Sequence, residues 1–345
     1  MQPPSLPRHT LARGLRRGRR TRVPGLMATA LALTLALTAC GGDPSEASDS
    51  EGSTGTGAFP VSVVHAKGKT VVKTKPKRVV ALGYADVSVA RALDAPIVGA
   101  LKFAGGENTW NFPGVTPPLD KETAVFEAVT LNLEKIAALR PDLILMTSAQ
   151  LPYQDAYDKL SAIAPTVGYR TKLLQDDPVE LTRLIGSALG KSTEAEALIA
   201  ASEKAIADFA VKHPYLKGKK ALFGQGLGDG AHIIVAPDAN VNHFFGKLGL
   251  SLPSEFTTLK RSGPTGGASL SLEELDRLDA ADIAFLLFVD PKVKEHALVK
   301  RLELTRTGRL TGVDVGAAYA LHETNPANTA YLLGVIEPTV AKLAP

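Results

Sequence analysis

The chain has 345 residues, enough for a leader and two lobes but too many for one ordinary core. Its formal charge of +4 comes from the leader, because seven arginines and no acidic residue lie in the first 22 positions. From Cys40 onward 32 Lys and Arg face 35 Asp and Glu, which leaves a charge of −3 and no clustered basic face for nucleic acid. A single cysteine excludes an internal disulfide.

Residues 1–39 are predicted to form a signal peptide. The basic start is followed by an uncharged stretch rich in Leu and Ala, which is short for a membrane span and ends in Leu37-Thr38-Ala39-Cys40. Cys40 stands where lipoprotein processing leaves the new N-terminus, so lipidation would hold the protein on the extracytoplasmic face of the cell membrane. Residues 40–60, which contain few apolar side chains, are predicted to be a disordered tether.

The first lobe is predicted to cover residues 61–190. It begins with a small hairpin around Lys67-Gly68-Lys69. Continuous apolar strands at 79–82, 97–101 and 143–146 then alternate with helices, including one at 87–93. Strands of this kind predict a parallel sheet that is covered on both faces.

Residues 191–213 are predicted to form a connecting helix, with Thr193 and Glu196 capping its start. Residues 214–345 form the predicted second lobe, in which Gly224–Gly230 is expected to be a loop between two strands and 313–315 a further strand. The predicted fold class is therefore α/β, with two Rossmann-like lobes of largely parallel sheets joined by one long interdomain helix.

A short unit occurs once in each lobe. Leu131 to Asp142 and Leu270 to Asp282 each contain an N-cap residue, an acidic residue two places on, a short amphipathic helix and an Asp before a buried strand. A carboxylate there also complements the helix dipole. Because the unit recurs, we expect Glu134 and Glu273 to form a two-point docking surface, while Glu274 is occupied in a capping box with Ser271.

Chemical motifs are otherwise scarce. The run Gly224–Gly230 has no phosphate-binding register, and the histidines after the leader are scattered without a close pair. No Gly-x-Ser-x-Gly elbow marks a nucleophile. No enzyme activity, resident metal or cofactor is therefore expected.

Candidate ligand-binding side chains collect where strands meet helices, since ligands of open parallel sheets lie beyond the carboxyl ends of strands. In the first lobe they are Tyr84, Lys102, Phe103, Trp110, Tyr169 and Arg170. In the second lobe the same rule selects Gln225, Asn240, His243, Arg261, Phe288, His322 and Asn325. Together they predict a cleft for a bulky, partly aromatic, polar or anionic ligand.

Four stretches carry a resemblance to a known family: the leader ending in Leu-Thr-Ala-Cys, Pro76 to Gly83, Asn132 to Asp142, and Arg183 to Gly190. They resemble periplasmic-binding proteins of iron–siderophore ABC transporters, a family that also includes haem and cobalamin binders. The resemblance implies two α/β lobes bridged by one long helix. It also implies that Glu134 and Glu273 form salt bridges to arginines on the two permease subunits.

These observations predict a monomeric, lipid-anchored receptor that captures a ferric siderophore and delivers it to a permease dimer. A haem or cobalamin binder remains open as an alternative. So do a surface sensor or adhesion lipoprotein that binds a protein partner, and an esterase, which would need a Ser–His pair in the cleft.

Overall fold

The computed structural model describes residues 58–102, 112–263 and 265–345, which belong to one compact unit. Several predicted features lie outside these residues: the signal peptide, most of the tether, the expected lipidation site Cys40, and the ligand candidates Phe103 and Trp110. The described part opens with an antiparallel hairpin of β1 (Val61–His65) and β2 (Gly68–Val72), as predicted. Gly68 has a φ of 123° at its turn, a conformation that favours glycine.

The first sheet has five parallel strands in the order β5-β4-β3-β6-β7. Its strands are β3 (Val79–Ala81), β4 (Ile97–Leu101), β5 (Ala124–Phe126), β6 (Leu143–Leu145) and β7 (Thr166–Val167). The surrounding helices are α1 (Tyr84–Ala92), α2 (Leu133–Ala138), α3 (Leu151–Gln154), α4 (Tyr157–Ser161) and α5 (Pro178–Ala188). Every residue of β3 and β6 is buried, which fits a parallel sheet with both faces covered.

The connector is α6 (Ser192–Lys212), whose 21 residues make it the longest described helix. At 1.5 Å per residue it spans about 30 Å. The predicted cap is wrong, because the N-cap position is Lys191 and makes no side-chain cap. Glu196 is instead drawn to α5, where its two oxygens accept from Arg183 Nε at 2.7 Å and Nη2 at 3.1 Å.

The second sheet has the order β10-β9-β8-β11-β12. Its strands are β8 (Ala221–Leu227), β9 (Gly230–Ile234), β10 (Gly267–Ser271), β11 (Ile283–Phe288) and β12 (Leu310–Gly312). Pairs β8–β11 and β11–β12 are parallel, whereas β9 is antiparallel to both its neighbours. The predicted loop at 224–230 is therefore wrong. Gly224 belongs to β8 and faces β9 so closely that a Cβ would lie 2.3 Å from the carbonyl oxygen of His232.

The remaining helices cover the second sheet and the connector. They are α7 (Asn240–Lys247), α8 (Ser254–Thr257), α9 (Pro291–Glu295), α10 (Ala297–Arg301), α11 (Glu303–Arg306), α12 (Val315–His322) and α13 (Thr329–Val340), with 3-10 turns at Pro214–Leu216, Leu272–Ala280 and Ala341–Leu343. The strand predicted at 313–315 is wrong, since β12 ends at Gly312 and Val315 already begins α12.

One apolar cluster runs through the molecule. It contains Leu145 of the first sheet, Ile206 of α6 and Phe285 of the second sheet, with two further clusters on the outer faces. The predicted α/β fold, with two largely parallel sheets joined by one long helix, is confirmed. Among the described residues, no helix combines the length and apolar character needed to cross a membrane.

Candidate functional site

A crevice lies where the segments that follow β3 and β6 meet the segment that follows α12. Its inner part has an empty volume of about 330 Å³ and is lined by Ala85 and Ser148 on the first-lobe side and by Glu323 on the second-lobe side. An adjoining part of about 410 Å³ opens beside α6. The two parts share Pro178, Asn240, Thr324 and Asn325.

Two buried carboxyl groups, Glu323 and Asp86, lie at or behind the inner crevice. Burial raises the pKa of Asp86 to about 6, against hydrogen bonds from Thr147 and Ser148 that lower it. Burial also raises the pKa of Glu323 to about 7, and the charge of Asp86 adds to that rise. Glu323, which lines the inner crevice, and Asp86, which is buried behind the lining, therefore both titrate near neutral pH.

Asp86 links the carboxyl ends of β3 and β6. Its Oδ1 accepts from the Thr147 backbone N–H at 3.0 Å and from the Thr147 hydroxyl at 2.5 Å. Gly83 makes this approach possible, since a Cβ there would lie 2.6 Å from Asp86 Oδ2 and 2.2 Å from Ser148 Oγ.

Tyr84, a predicted ligand-binding side chain, is a buried contact between the lobes and does not line the crevice. It is 1% exposed, its hydroxyl donates to the carbonyl oxygen of Pro113, and it also hydrogen-bonds with Asn328. Its ring lies 6.4 Å from that of Tyr319. Burial raises the pKa of Tyr84, so the phenol stays neutral.

The other described first-lobe candidates are each engaged by a neighbour. Lys102 Nζ lies 2.9 Å from Glu127 Oε1. Tyr169 is partly exposed, with Lys67 Nζ 5.8 Å from its ring centre. Arg170 is exposed and its Nη2 lies 3.8 Å from Glu180 Oε2. None of these three candidates lines the crevice described above.

In the second lobe the structure brings Asn240, His243 and Asn325 together along the crevice. His243 is exposed, whereas Asn325 is buried and its side chain is used within its own loop. The remaining candidates do not line the crevice: Gln225 lies within β8, Arg261 on an exposed loop, Phe288 against the outer core, and His322 near His232.

Glu134 and Glu273 are both exposed, and neither forms an ion pair with any described residue. Each lies in the first turn of a helix that follows an edge strand, β5 or β10. Asn132 caps its helix by accepting from the Lys135 N–H at 2.8 Å. The predicted capping box is confirmed, since the Ser271 N–H donates to Glu274 at 3.0 Å.

Sequence reasoning missed Glu323, although it selected both His322 and Asn325 beside it. A glutamate at the end of a helix is ordinarily solvated, and only the tertiary fold shows that this one is 6% exposed. No three His, Cys, Asp or Glu side chains within the described ranges are grouped so that they could hold a metal ion.

Comparison with known proteins agrees with this architecture. A family model described as periplasmic binding protein matches residues 79–311, from the first strand of the first sheet into the last strand of the second. The putative ABC transporter substrate-binding lipoprotein YhfQ of Bacillus subtilis is 27% identical over 306 residues, covering 84% of this chain and 90% of YhfQ. The Fe(3+) dicitrate-binding periplasmic protein FecB of Escherichia coli is 26% identical over 246 residues, covering 71% and 76% of the two chains.

A solved structure extends the similarity to the whole fold. Staphylococcus aureus SirA, complexed with staphyloferrin B, matches with a TM-score of 0.61 and 26% identity, covering 82% of this chain and 98% of SirA. The family match takes in both sheets and the connecting helix between them. The chain therefore belongs to the periplasmic binding protein family.

Proposed function

We propose that this protein is an extracytoplasmic, lipid-anchored receptor that captures a ferric siderophore between its lobes and delivers it to an ABC importer. The observation that carries the proposal is the pair of α/β lobes joined by one helix, with a crevice between them. FecB and SirA, which share this family or fold, bind Fe(3+) dicitrate and staphyloferrin B. The role is binding and delivery, without chemical conversion of the ligand.

Ligand titration tests the receptor role. Trp110 is the only tryptophan of the chain and a predicted ligand-binding residue, so its fluorescence reports that one position. We expect one class among ferric citrate, ferric hydroxamates, ferric catecholates, haem and cobalamin to quench it with sub-micromolar affinity, and Trp110→Phe to abolish the signal while calorimetric binding persists. Haem or cobalamin as the only tight ligand would replace the siderophore assignment, and binding of none would refute the receptor role.

Docking on the permease is assigned to Glu134 and Glu273. Each is an exposed carboxylate without an ion-pair partner among the described residues, and each follows an edge strand of its own sheet. Two anionic points, one per lobe, suit a permease dimer that presents one cationic point per subunit.

The docking assignment predicts that removing the two glutamates affects import but not ligand affinity. The double variant Glu134→Ala, Glu273→Ala is expected to lose import while ligand affinity stays unchanged. The matched control is Glu122→Ala, Glu295→Ala, which removes one exposed glutamate from each lobe. Normal import by the first variant would contradict the assignment, and lost affinity would move these glutamates into the ligand site.

A further inference from the structure

Glu323 hydrogen-bonds across the crevice to the backbone of the first lobe. It stands at the C-terminal end of α12 in the second lobe. Its Oε2 accepts from the Ala85 N–H at 3.1 Å, in the first turn of α1 in the first lobe, and its carboxyl group also hydrogen-bonds with Ser148. The N-cap of α1 is Gly83, which has no side chain to serve this end of the helix, and Ser148 Oγ of the first lobe accepts from the same Ala85 N–H at 3.0 Å. A carboxylate from the second lobe thus shares with Ser148 the cap of a first-lobe helix.

The contact is held rigidly from the second-lobe side. The Glu323 N–H donates to the Tyr319 carbonyl oxygen at 2.9 Å, and the Glu323 carbonyl oxygen accepts from Asn325 Nδ2 at 2.9 Å and Asn328 Nδ2 at 3.1 Å. The backbone of Glu323 is therefore held in the second lobe and does not follow the first lobe if the crevice widens. Separation of the lobes would break the cap and bring water to the carboxyl group.

The groups around Glu323 are acidic or phenolic. Asp86 faces it from α1, Tyr84 from the start of the same helix, and Tyr319 from α12. No cation of the described residues is among the groups that shift its pKa. An ionised Glu323 is therefore enclosed with a second carboxylate, while a neutral one can still accept from Ala85 and donate to Ser148 Oγ.

We propose that Glu323 is a positioning residue that joins the two lobes, and that the crevice closes more tightly when its carboxyl group is protonated. Closure is then a proton-linked equilibrium that belongs to the protein itself. This inference goes beyond the proposed function, because it concerns the lobes and does not depend on which ligand is bound.

The direction of the pH effect follows from the linkage between proton binding and closure of the crevice. In the closed crevice the pKa of Glu323 is about 7, against 4.5 for an unperturbed glutamate. If opening restores the ordinary value, the closed form binds the proton more tightly, so closure is favoured at low pH and weakened as the pH rises through about 7. Between pH 5.5 and 8.5 these two values predict a change of about 30-fold in the closing equilibrium.

Thiol accessibility measures the opening without any ligand. Thr324 lines both parts of the crevice and is 6% exposed, so Thr324→Cys in full-length protein carrying Cys40→Ser places a single thiol inside. The rate of its alkylation is compared with the rate in the same protein carrying Glu323→Gln, at each pH. Each rate is first divided by the thiolate fraction measured in that protein, because a carboxylate next to a thiol changes its ionisation. The ratio then reports the opening alone.

We expect this ratio to rise about 30-fold from pH 5.5 to 8.5, since the glutamine side chain of the variant stays neutral throughout. A surface thiol at Lys159→Cys, which is exposed, should give a ratio of one at every pH. A ratio that does not change with pH would overturn the proposal. If both proteins keep a pH response, that response is assigned to Asp86 instead. If Glu323→Gln does not fold, Glu323→Asp takes its place. In either case, the proposal is overturned if the alkylation rate of the parent protein merely follows the ionisation of its thiol.

Discussion

At the scale of single residues, burial changes the pKa values of two carboxyl groups. Glu323 and Asp86 are among the most buried charged groups described, at 6% and 0% exposed, and both lie where the lobes meet. Burial without a cation raises the pKa of each, because the charged form loses its hydration. The ionised crevice is consequently less stable than a neutral one.

That difference predicts that Glu323→Gln raises the free energy of unfolding by an amount that depends on pH. The pKa of Glu323 is about 7 in the folded state and 4.5 when unperturbed, so its stabilising contribution is complete below 4.5 and lost as the pH rises through 7. Glutamine keeps the neutral state, so urea denaturation should give the variant a free energy of unfolding about 3 kcal/mol higher at pH 8.5. At pH 4 the two proteins should be equally stable. A destabilised variant at pH 8.5 would mean that the ionised carboxylate is the preferred form.

At the scale of elements, two glycines differ in the space around them. One lies in the strand β8, part of which was predicted as a loop, and the other lies in the helix α7. Gly224 of β8 has no room for a Cβ, whereas Gly246 of α7 has open space around that position. The same chemical change should therefore have opposite effects at the two sites.

We expect Gly224→Ala to lower the free energy of unfolding by about 1–3 kcal/mol, because β8 and β9 must move apart. Gly246→Ala should raise it by roughly 0.5–1 kcal/mol through helix propensity. Thermal unfolding of both variants and of the parent protein measures these two changes in stability. A neutral Gly224→Ala would show that this part of the chain is a loose loop after all.

Elements with strong patterns were predictable, and elements without them were not. Apolar runs predicted β3, β4 and β6, and helical spacing predicted α6 nearly to its ends. By contrast α12 is Val-Gly-Ala-Ala-Tyr-Ala-Leu-His, apolar on most sides because it is largely buried, so no amphipathic period marks it. β5 has only three residues and β10 mixes Gly, Ala and Ser, and short strands of this kind resemble loops in sequence.

The candidate site was less predictable than the fold. The rule that ligands lie beyond strand ends selected Asn240, His243 and Asn325, which the structure places along the crevice, because the rule needs only the order of elements. It missed Glu323, since the partner of that side chain lies 238 positions away along the chain. Pairings of this range depend on how two lobes meet, and no local pattern encodes them.

At the scale of the whole molecule, the lobes share one core through α6. Ile206 is 7% exposed within that cluster, while Val211 on the same helix is 80% exposed. The connector is also tied at its far end, where Lys212 and His213 both approach Glu337 of α13. Such continuity favours one cooperative unfolding transition for both lobes.

We therefore expect calorimetry to show a single transition, and Ile206→Ala to lower the free energy of unfolding by about 2–5 kcal/mol without splitting it. Val211→Ala, the matched change on the solvent side, should alter stability by less than about 0.5 kcal/mol. Two resolved transitions in the parent protein would contradict a shared core.

The single passage of the chain through α6 has a consequence for recombination. Neither sheet borrows a strand from the other, because one uses residues 79–167 and the other residues 221–312. One splice inside α6 can thus join halves of two related periplasmic binding proteins while every strand keeps its native neighbours. Ligand preference in such hybrids could then be traced to one half or the other.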